Sequence, residues 1–136
     1  MNELNLRRLN DDDYDMLVSW WNWWPGWAAP PRDFLPDNGK GGFMVEKNNI
    51  PICAGFIYQT NSEAILLEFI ISNPNYRDTD RKDALEYLIV GCEKICKEAG
   101  KKYMFTMGRH KSLINIHEKL GWHVDKRPSH EIVKTI

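Results

Sequence analysis

A chain of 136 residues suffices for one domain with a sizeable core and falls short of two ordinary ones, so residues 1–136 are expected to form a single domain. Its 43% hydrophobic and 27% charged residues are those of a globular protein, and a formal net charge of −1 exerts no global pull on phosphates, which argues against nucleic acid or a membrane surface as partner. Apolar runs such as Ile65-Leu66-Leu67 are far shorter than a membrane span, and no basic segment followed by an apolar core opens the chain. With the odd cysteine count of Cys53, Cys92 and Cys96, this predicts reduced thiols and a cytoplasmic setting.

Leu4 and Leu6 alternate with polar neighbours and predict a first strand over residues 3–9. Asn10-Asp11-Asp12-Asp13 then supplies capping and first-turn carboxylates for a helix. Tyr14, Leu17, Val18 and Trp21 form one apolar stripe on it; Met16, Trp20, Trp23 and Trp27 form a second, interrupted by Pro25-Gly26. Residues 28–40 hold three prolines and Gly39 and predict a loop with one helical turn near Phe34. Strands over 42–46, 51–59 and 64–72 follow, joined by Lys47-Asn48-Asn49 and Thr60-Asn61-Ser62.

The longest amphipathic stretch, residues 80–99, carries Ala84, Leu85, Leu88, Ile89, Cys92, Ile95, Cys96 and Ala99 on one face and stops at Gly100. Cys92 and Cys96 lie four apart, a spacing that could ligate a metal, but no further ligand pair supports that over apolar filling, so no metal is expected. A strand over 102–107, a helix over 112–120 ending at Gly121, and a hairpin of 122–125 with 131–135 complete the reading. This order predicts one α/β domain of mixed α+β type.

Three pieces between Glu68 and Trp122 carry a resemblance: a short strand leading into Asn73-Pro74-Asn75-Tyr76-Arg77, the long helix, and the late His117-Glu118-Lys119-Leu120-Gly121-Trp122. Their order resembles the GNAT superfamily of acyl-CoA N-acyltransferases. The resemblance covers the whole chain by element order and residues 64–122 at residue level. It implies a twisted mixed sheet of about six to seven strands flanked by helices, with acetyl-CoA as co-substrate. It also implies a small-molecule or peptide amine as acceptor, and a homodimer as candidate assembly. In the family an Arg or Gln opens a glycine-containing pyrophosphate loop, and a late tyrosine acts as general acid. Here Arg77 takes the first position, Asp80 and Lys82 stand where glycines are expected, and His117 replaces the tyrosine.

The resemblance implies coenzyme contacts from the backbone of Ile70, Ile71 and Ser72, and from Arg77, Arg81, Lys82, Asp83, Ala84 and His110. Glycines matter in such a loop because backbone N–H groups at a helix N-terminus must approach the diphosphate closely. The stretch from Arg77 to Asp83 balances three cations against three carboxylates, and a solvated, well-capped helix start explains those charges equally well. The resemblance makes Glu68 the candidate base and His117 the candidate acid. Alternation does not decide which face Glu68 occupies, and a salt-bridge role remains open to it. His117 shares a face with Leu113, Ile116 and Leu120, where a hydrogen-bonded core histidine is the competing reading.

Five of the six tryptophans fall within residues 20–27, more than a small core readily absorbs. In the family this helix and the following loop wall the acceptor, so Trp20, Trp23, Trp24, Trp27 and Phe34 are the candidate substrate wall, shared between core and site. Aromatic walls suit flat or apolar acceptors, cations over ring faces, or a partner protein. The expected function is N-acetyl transfer from acetyl-CoA to a primary amine. The alternative is a catalytically inactive GNAT-fold module that binds through its tryptophan surface.

Overall fold

The computed structural model describes residues 3–136. Its elements in chain order are β1 (Leu4–Arg8), α1 (Asp13–Trp23), two short 3-10 turns (Arg32–Phe34 and Pro36–Gly39), β2 (Gly42–Lys47), β3 (Ile50–Gln59), β4 (Ala64–Ser72), α2 (Arg81–Glu98), β5 (Tyr103–Phe105) and α3 (Lys111–Lys119). The five strands form one sheet in the order β1-β2-β3-β4-β5. All neighbours are antiparallel except β4 and β5, which are parallel, as a helical crossover between two strands of one sheet requires.

One face of the sheet is covered by α1 and the other by α2, with Ile116 of α3 packed into the α2 layer. The α2 stripe of Ala84, Leu88, Ile89 and Cys92 is fully buried against Val45, Cys53 and Leu67. Cys53 and Cys92 belong to this layer, and burial pushes both thiols up, Cys92 to about 12. On the other face Leu17, Trp20 and Trp21 of α1 pack on Met44, Ala54, Phe56 and Ile71. The axis of that contact is i, i+3, i+4 from Leu17, so Trp20 joins the core at 4% exposure while Tyr14 and Val18 lie at its margin. Arg7 ties β1 to α1 and β2: its guanidinium donates twice to the buried Asp13 carboxylate, at 2.8 and 2.9 Å, and Nε reaches Glu46 at 3.0 Å. Such forked pairing holds geometry as well as charge.

The sheet has five strands rather than six to seven. Residues 122–125 and 131–135 contain no strand, and β5 is three residues long where six were expected. At the C-terminal end, alternation survives without a ladder: Glu131, Val133 and Thr135 face a cavity, while Ile132 is 92% exposed. A period of two sorts side chains between two sides but supplies no partner for the backbone. Trp122 is held otherwise, its indole N–H donating to Glu93 on α2 at 3.0 Å and its ring edge-on to His117. The local Asp125–Arg127 pair and Pro128, which lacks an N–H, follow it. No helix among the described residues is long and apolar enough to cross a membrane.

Candidate active site

The parting of β4 from β5 creates the site. Their ladder runs from Ala64↔Tyr103 to Leu66↔Phe105 and ends, while β4 continues to Ser72. Two residues past the last pair, the Glu68 carboxylate accepts the Met107 N–H at 2.9 Å, so a side chain replaces the backbone rung at the mouth of the opening. Phe69 then adopts φ 56°, left-handed backbone that a bulky side chain rarely takes. The register confirms a bulge: Ala54 pairs with Ile71 and Phe56 with Glu68, leaving two residues of β4 opposite Gly55. A side chain at Gly55 would meet Leu67, Ile70 and Leu88 at 3.2–3.4 Å, so a glycine opposite the bulge leaves it room.

The bulge sets which backbone groups face the opening. Asn73 donates its N–H to Ile52 of β3, so by strand alternation Ile71 turns the same way and Ile70 and Ser72 turn theirs outward. The Trp24 indole approaches the Ser72 carbonyl at 3.4 Å, consistent with that direction. An extended amide chain entering the opening would therefore meet Ile70 and Ser72 as an added strand.

Glu68 is half-buried, and desolvation is the main reason its carboxyl titrates above the ordinary range. The Glu131 charge pushes the same way, opposed by bonds from Met107 and Thr106 and by Arg109. A carboxylate so placed holds protons closer to neutrality than a surface glutamate does.

Around Glu68 lies a cavity of about 610 Å³ whose wall includes Trp21, Trp24, Trp27, Phe34, Phe69 and His110. Each ring is tied down. Phe34 is fixed by the Tyr58 hydroxyl, which donates to its carbonyl at 2.9 Å, and its ring meets Phe69 edge-on at 5.8 Å. Burial and the Glu68 charge push the Tyr58 hydroxyl up to about 12, which keeps it a donor. Tyr14 donates to the Pro30 carbonyl at 2.8 Å and draws the proline-rich loop over α1. Trp27 stacks on His110 with 5.2 Å between centroids and 6° between planes, closing one side of the cavity between the α1 loop and the start of α3.

Of the five aromatic residues expected to wall the acceptor, Trp24, Trp27 and Phe34 line this cavity. Trp20 lies in the core beneath it. Trp23, half-exposed, stands outside with its ring edge-on to Trp24 and the Arg77 guanidinium 5.3 Å over its ring. The expected coenzyme residues divide similarly. Ile70, Ile71, Ser72, Arg81 and His110 line the cavity; Arg77, Lys82 and Asp83 are exposed outside it; Ala84 is buried and its N–H is spent on Asp80. The first-turn N–H groups of Lys82 and Asp83 occupy positions that have no intrahelical acceptor. Asp80 turns its carboxylate to Lys47 and to the Tyr76 hydroxyl, both at 2.7 Å, and the Lys47 bond is the first cause of its depressed titration.

His117 lies apart from Glu68. It is 4% exposed, bonds through Nδ1 to the Leu113 carbonyl at 2.9 Å, and meets Trp122 edge-on at 4.8 Å. Because that partner accepts, Nδ1 carries the proton; Nε2 is buried without a bonding partner. The ring fronts the groove beside β5, not the cavity that holds Glu68. Residues that sequence reasoning passed over include Phe69, whose backbone makes the bulge, and the Arg109–Glu131 pair at 2.8 Å, which brings the C-terminal segment to the cavity wall. No group of three or more His, Cys, Asp or Glu placed to hold a metal ion occurs among the described residues.

No protein-family model and no curated protein sequence matches the chain. Solved structures do. The aminoglycoside N-acetyltransferase AAC(6')-Iy in complex with CoA superposes with a TM-score of 0.64 at 17% identity, covering 99% of this chain and 97% of that one. The ribosomal-protein-S18-alanine N-acetyltransferase from Escherichia coli gives 0.68 at 14% identity over 88% of this chain and 77% of that one. N-acetylglutamate synthase from Neisseria gonorrhoeae, complexed with coenzyme A and L-arginine, gives 0.73 at 10% identity over 95% of this chain and 30% of that one. With parallel β4 and β5 parting beside a bulge, and a helix crossing between them, the chain has the GNAT fold of the acyl-CoA N-acyltransferases.

Proposed function

We propose that the protein transfers an acetyl group from acetyl-CoA to a primary amine, with the coenzyme's extended arm entering beside Ile70 and Ser72. The observation that carries this reading is the opening between β4 and β5 with the desolvated Glu68 at its mouth. A neutral amine nitrogen is the nucleophile required, and Glu68, directly or through a water, takes the proton that an arriving ammonium must lose. The nitrogen attacks the thioester carbonyl, whose developing oxyanion is met by a backbone N–H on the open edge of β4. The C–S bond then breaks; the nitrogen loses two protons to Glu68 and water, the thiolate takes one up, and one proton is released to solvent overall. The thiolate's proton comes from water or from His110, the imidazole on the cavity wall; the buried His117 acts as a structural residue. Arg81 and the first turn of α2 meet the diphosphate.

Two neighbours were solved with coenzyme A bound, and the aminoglycoside acetyltransferase meta-AAC0020 with sisomicin, an acceptor-side amine compound; both chemistries support the reading. A second reading, a binding module without catalysis, draws on Asp80 and Lys82 in place of glycines and on the remote His117. Calorimetric titration with acetyl-CoA, followed by thiol release in the presence of a mixed amine panel, separates the two. Saturable heat with amine-dependent thiol release is the expected result. Absence of both would leave the binding module.

A further inference from the structure

The charge and ring inventory of the cavity points to one class of acceptor, an inference that rests on reading this cavity as the acetyl-transfer site. The ionisable wall residues, beyond His110, are Glu68, Glu131, Arg81 and Arg109, two carboxylates against two guanidiniums. Glu131 is engaged by Arg109 at 2.8 Å, which leaves Glu68 as the one wall carboxylate outside an ion pair among the described residues. A polyamine or polyamino sugar would bring several ammonium groups to a wall with one free carboxylate, and each surplus ammonium would be desolvated unpaired.

The remaining wall near Glu68 is aromatic. Phe69 follows Glu68 directly, Phe34 stands edge-on to it, and Trp24 and Trp27 extend the surface to His110. Trp27 is already faced by His110 and by the Arg109 guanidinium, 5.9 Å from its centroid, so an arriving cation gains chiefly from Phe34, Phe69 and Trp24, and an apolar body gains from the area of the whole wall. We propose that the acceptor is an arylalkylamine: one primary amine on a short carbon arm, presented to Glu68, with a flat ring held among Trp24, Trp27, Phe34 and Phe69. The pairing of a lone carboxylate with a ring-lined wall selects for one charge and one ring.

The test uses the full chain with acetyl-CoA and compares 2-phenylethylamine, tryptamine, n-butylamine and kanamycin by thiol release. The arylalkylamines should be preferred over butylamine and kanamycin by about tenfold or more in kcat/KM, the scale a hydrophobic pocket achieves for one well-placed apolar group. Phe34→Ala should erode that preference chiefly through KM, with far-ultraviolet circular dichroism confirming that it folds. In parallel, 2-phenylethylamine should saturably alter the intrinsic tryptophan fluorescence without coenzyme. Equal or better use of kanamycin or butylamine would overturn the proposal while leaving acetyl transfer intact. Absence of transfer to any amine, with saturable 2-phenylethylamine binding weakened by Phe34→Ala, would sink the catalytic reading and support the ligand class. Absence of both transfer and 2-phenylethylamine binding would overturn the proposal.

Discussion

Trp21 and Trp24 stand three residues apart and should respond to truncation very differently. Trp21 is completely buried, stacks on Phe56 at 6.2 Å and meets Phe69 edge-on at 6.5 Å. A tryptophan buries about 200 Å², which at ~25 cal/mol per Å² is about 5 kcal/mol. Its indole N–H, however, is buried with no bonding partner among the described residues, and removing an unpaired buried donor returns about 1–2 kcal/mol. Trp21→Ala should therefore lower unfolding free energy by about 3–4 kcal/mol, inside the usual range for large-ring truncation. Trp24 is half-buried on the cavity wall, and its contact to Ser72, at 3.4 Å, is longer than a well-formed N–H···O bond. Trp24→Ala should lose only about 1–2 kcal/mol and register chiefly in acceptor binding.

Urea unfolding followed by far-ultraviolet circular dichroism measures both without relying on the tryptophans as probes. Trp21→Phe is the internal control, since it keeps a ring against Phe56 and deletes the N–H; it should fall well short of the alanine loss, by about 2 kcal/mol or more. Equal losses from Trp21→Ala and Trp24→Ala would refute the division between core and site. A Trp21→Phe loss as large as that of alanine would refute the account of the unpaired N–H.

Glu68→Gln retains an oxygen for the Met107 N–H and removes the base, so thiol release should fall by about a hundred- to ten-thousandfold, and the wild-type rise in rate with pH through the elevated Glu68 titration should vanish. Since the folded-state titration of Glu68 lies above its unfolded value, its favourable share of stability is present below the unfolded value and lost as pH rises through the folded one. Glu68→Gln should accordingly melt no lower than wild type at pH 7, with any gain shrinking toward pH 4; a pH-independent difference would contradict this. For Asp80→Gly, loss of the Lys47 and Tyr76 bonds should lower the melting temperature at neutral pH. Asp80 titrates below its unfolded value, so its contribution is present above that value and lost as pH falls through the depressed one; the difference from wild type should close in strong acid. Because Lys47 already compensates its charge, the same change should tighten acetyl-CoA binding by less than about fivefold by calorimetry.

The α2 stripe, the hairpin order of β2 to β4 and the parallel pairing of β4 with β5 were legible because each rests on a period or on the geometry of a crossover. The bulge was not. Phe69 looks like any strand residue, and no glycine or asparagine marks the left-handed position. Since the bulge breaks alternation just after Glu68, the side toward which Glu68 turns could not be counted out from its neighbours. His117 was legible only as far as its helix face, for a four-residue offset from Gly121 cannot say which of two cavities that face meets. Trp20 shows a related limit: the first stripe omits it, yet rotating α1 slightly brings Leu17, Trp20 and Trp21 inward together. The Arg109–Glu131 pair spans 22 residues without regular structure around Glu131, and no local pattern announces it.

Three unfavourable features lie next to one another at the parting of the strands: a phenylalanine in left-handed backbone, a desolvated carboxylate and an unpaired indole N–H whose ring touches that phenylalanine. Each opposes folding, whereas the packing of the two core layers around them is conventional, the unpartnered Nε2 of His117 lying apart. Their adjacency has one physical origin. For β4 to release β5 yet stay bonded to β3, its backbone must turn over within one residue, and Phe69 absorbs the turn. That turn presents Ile70 and Ser72 to the open edge and leaves Glu68 as the last bond across it. Were β4 instead to pair with β3 without the bulge, its register beyond Glu68 would slip by one residue, and Ile70 and Ser72 would turn toward β3. The same bulge that strains the strand therefore sets which backbone groups face the cavity.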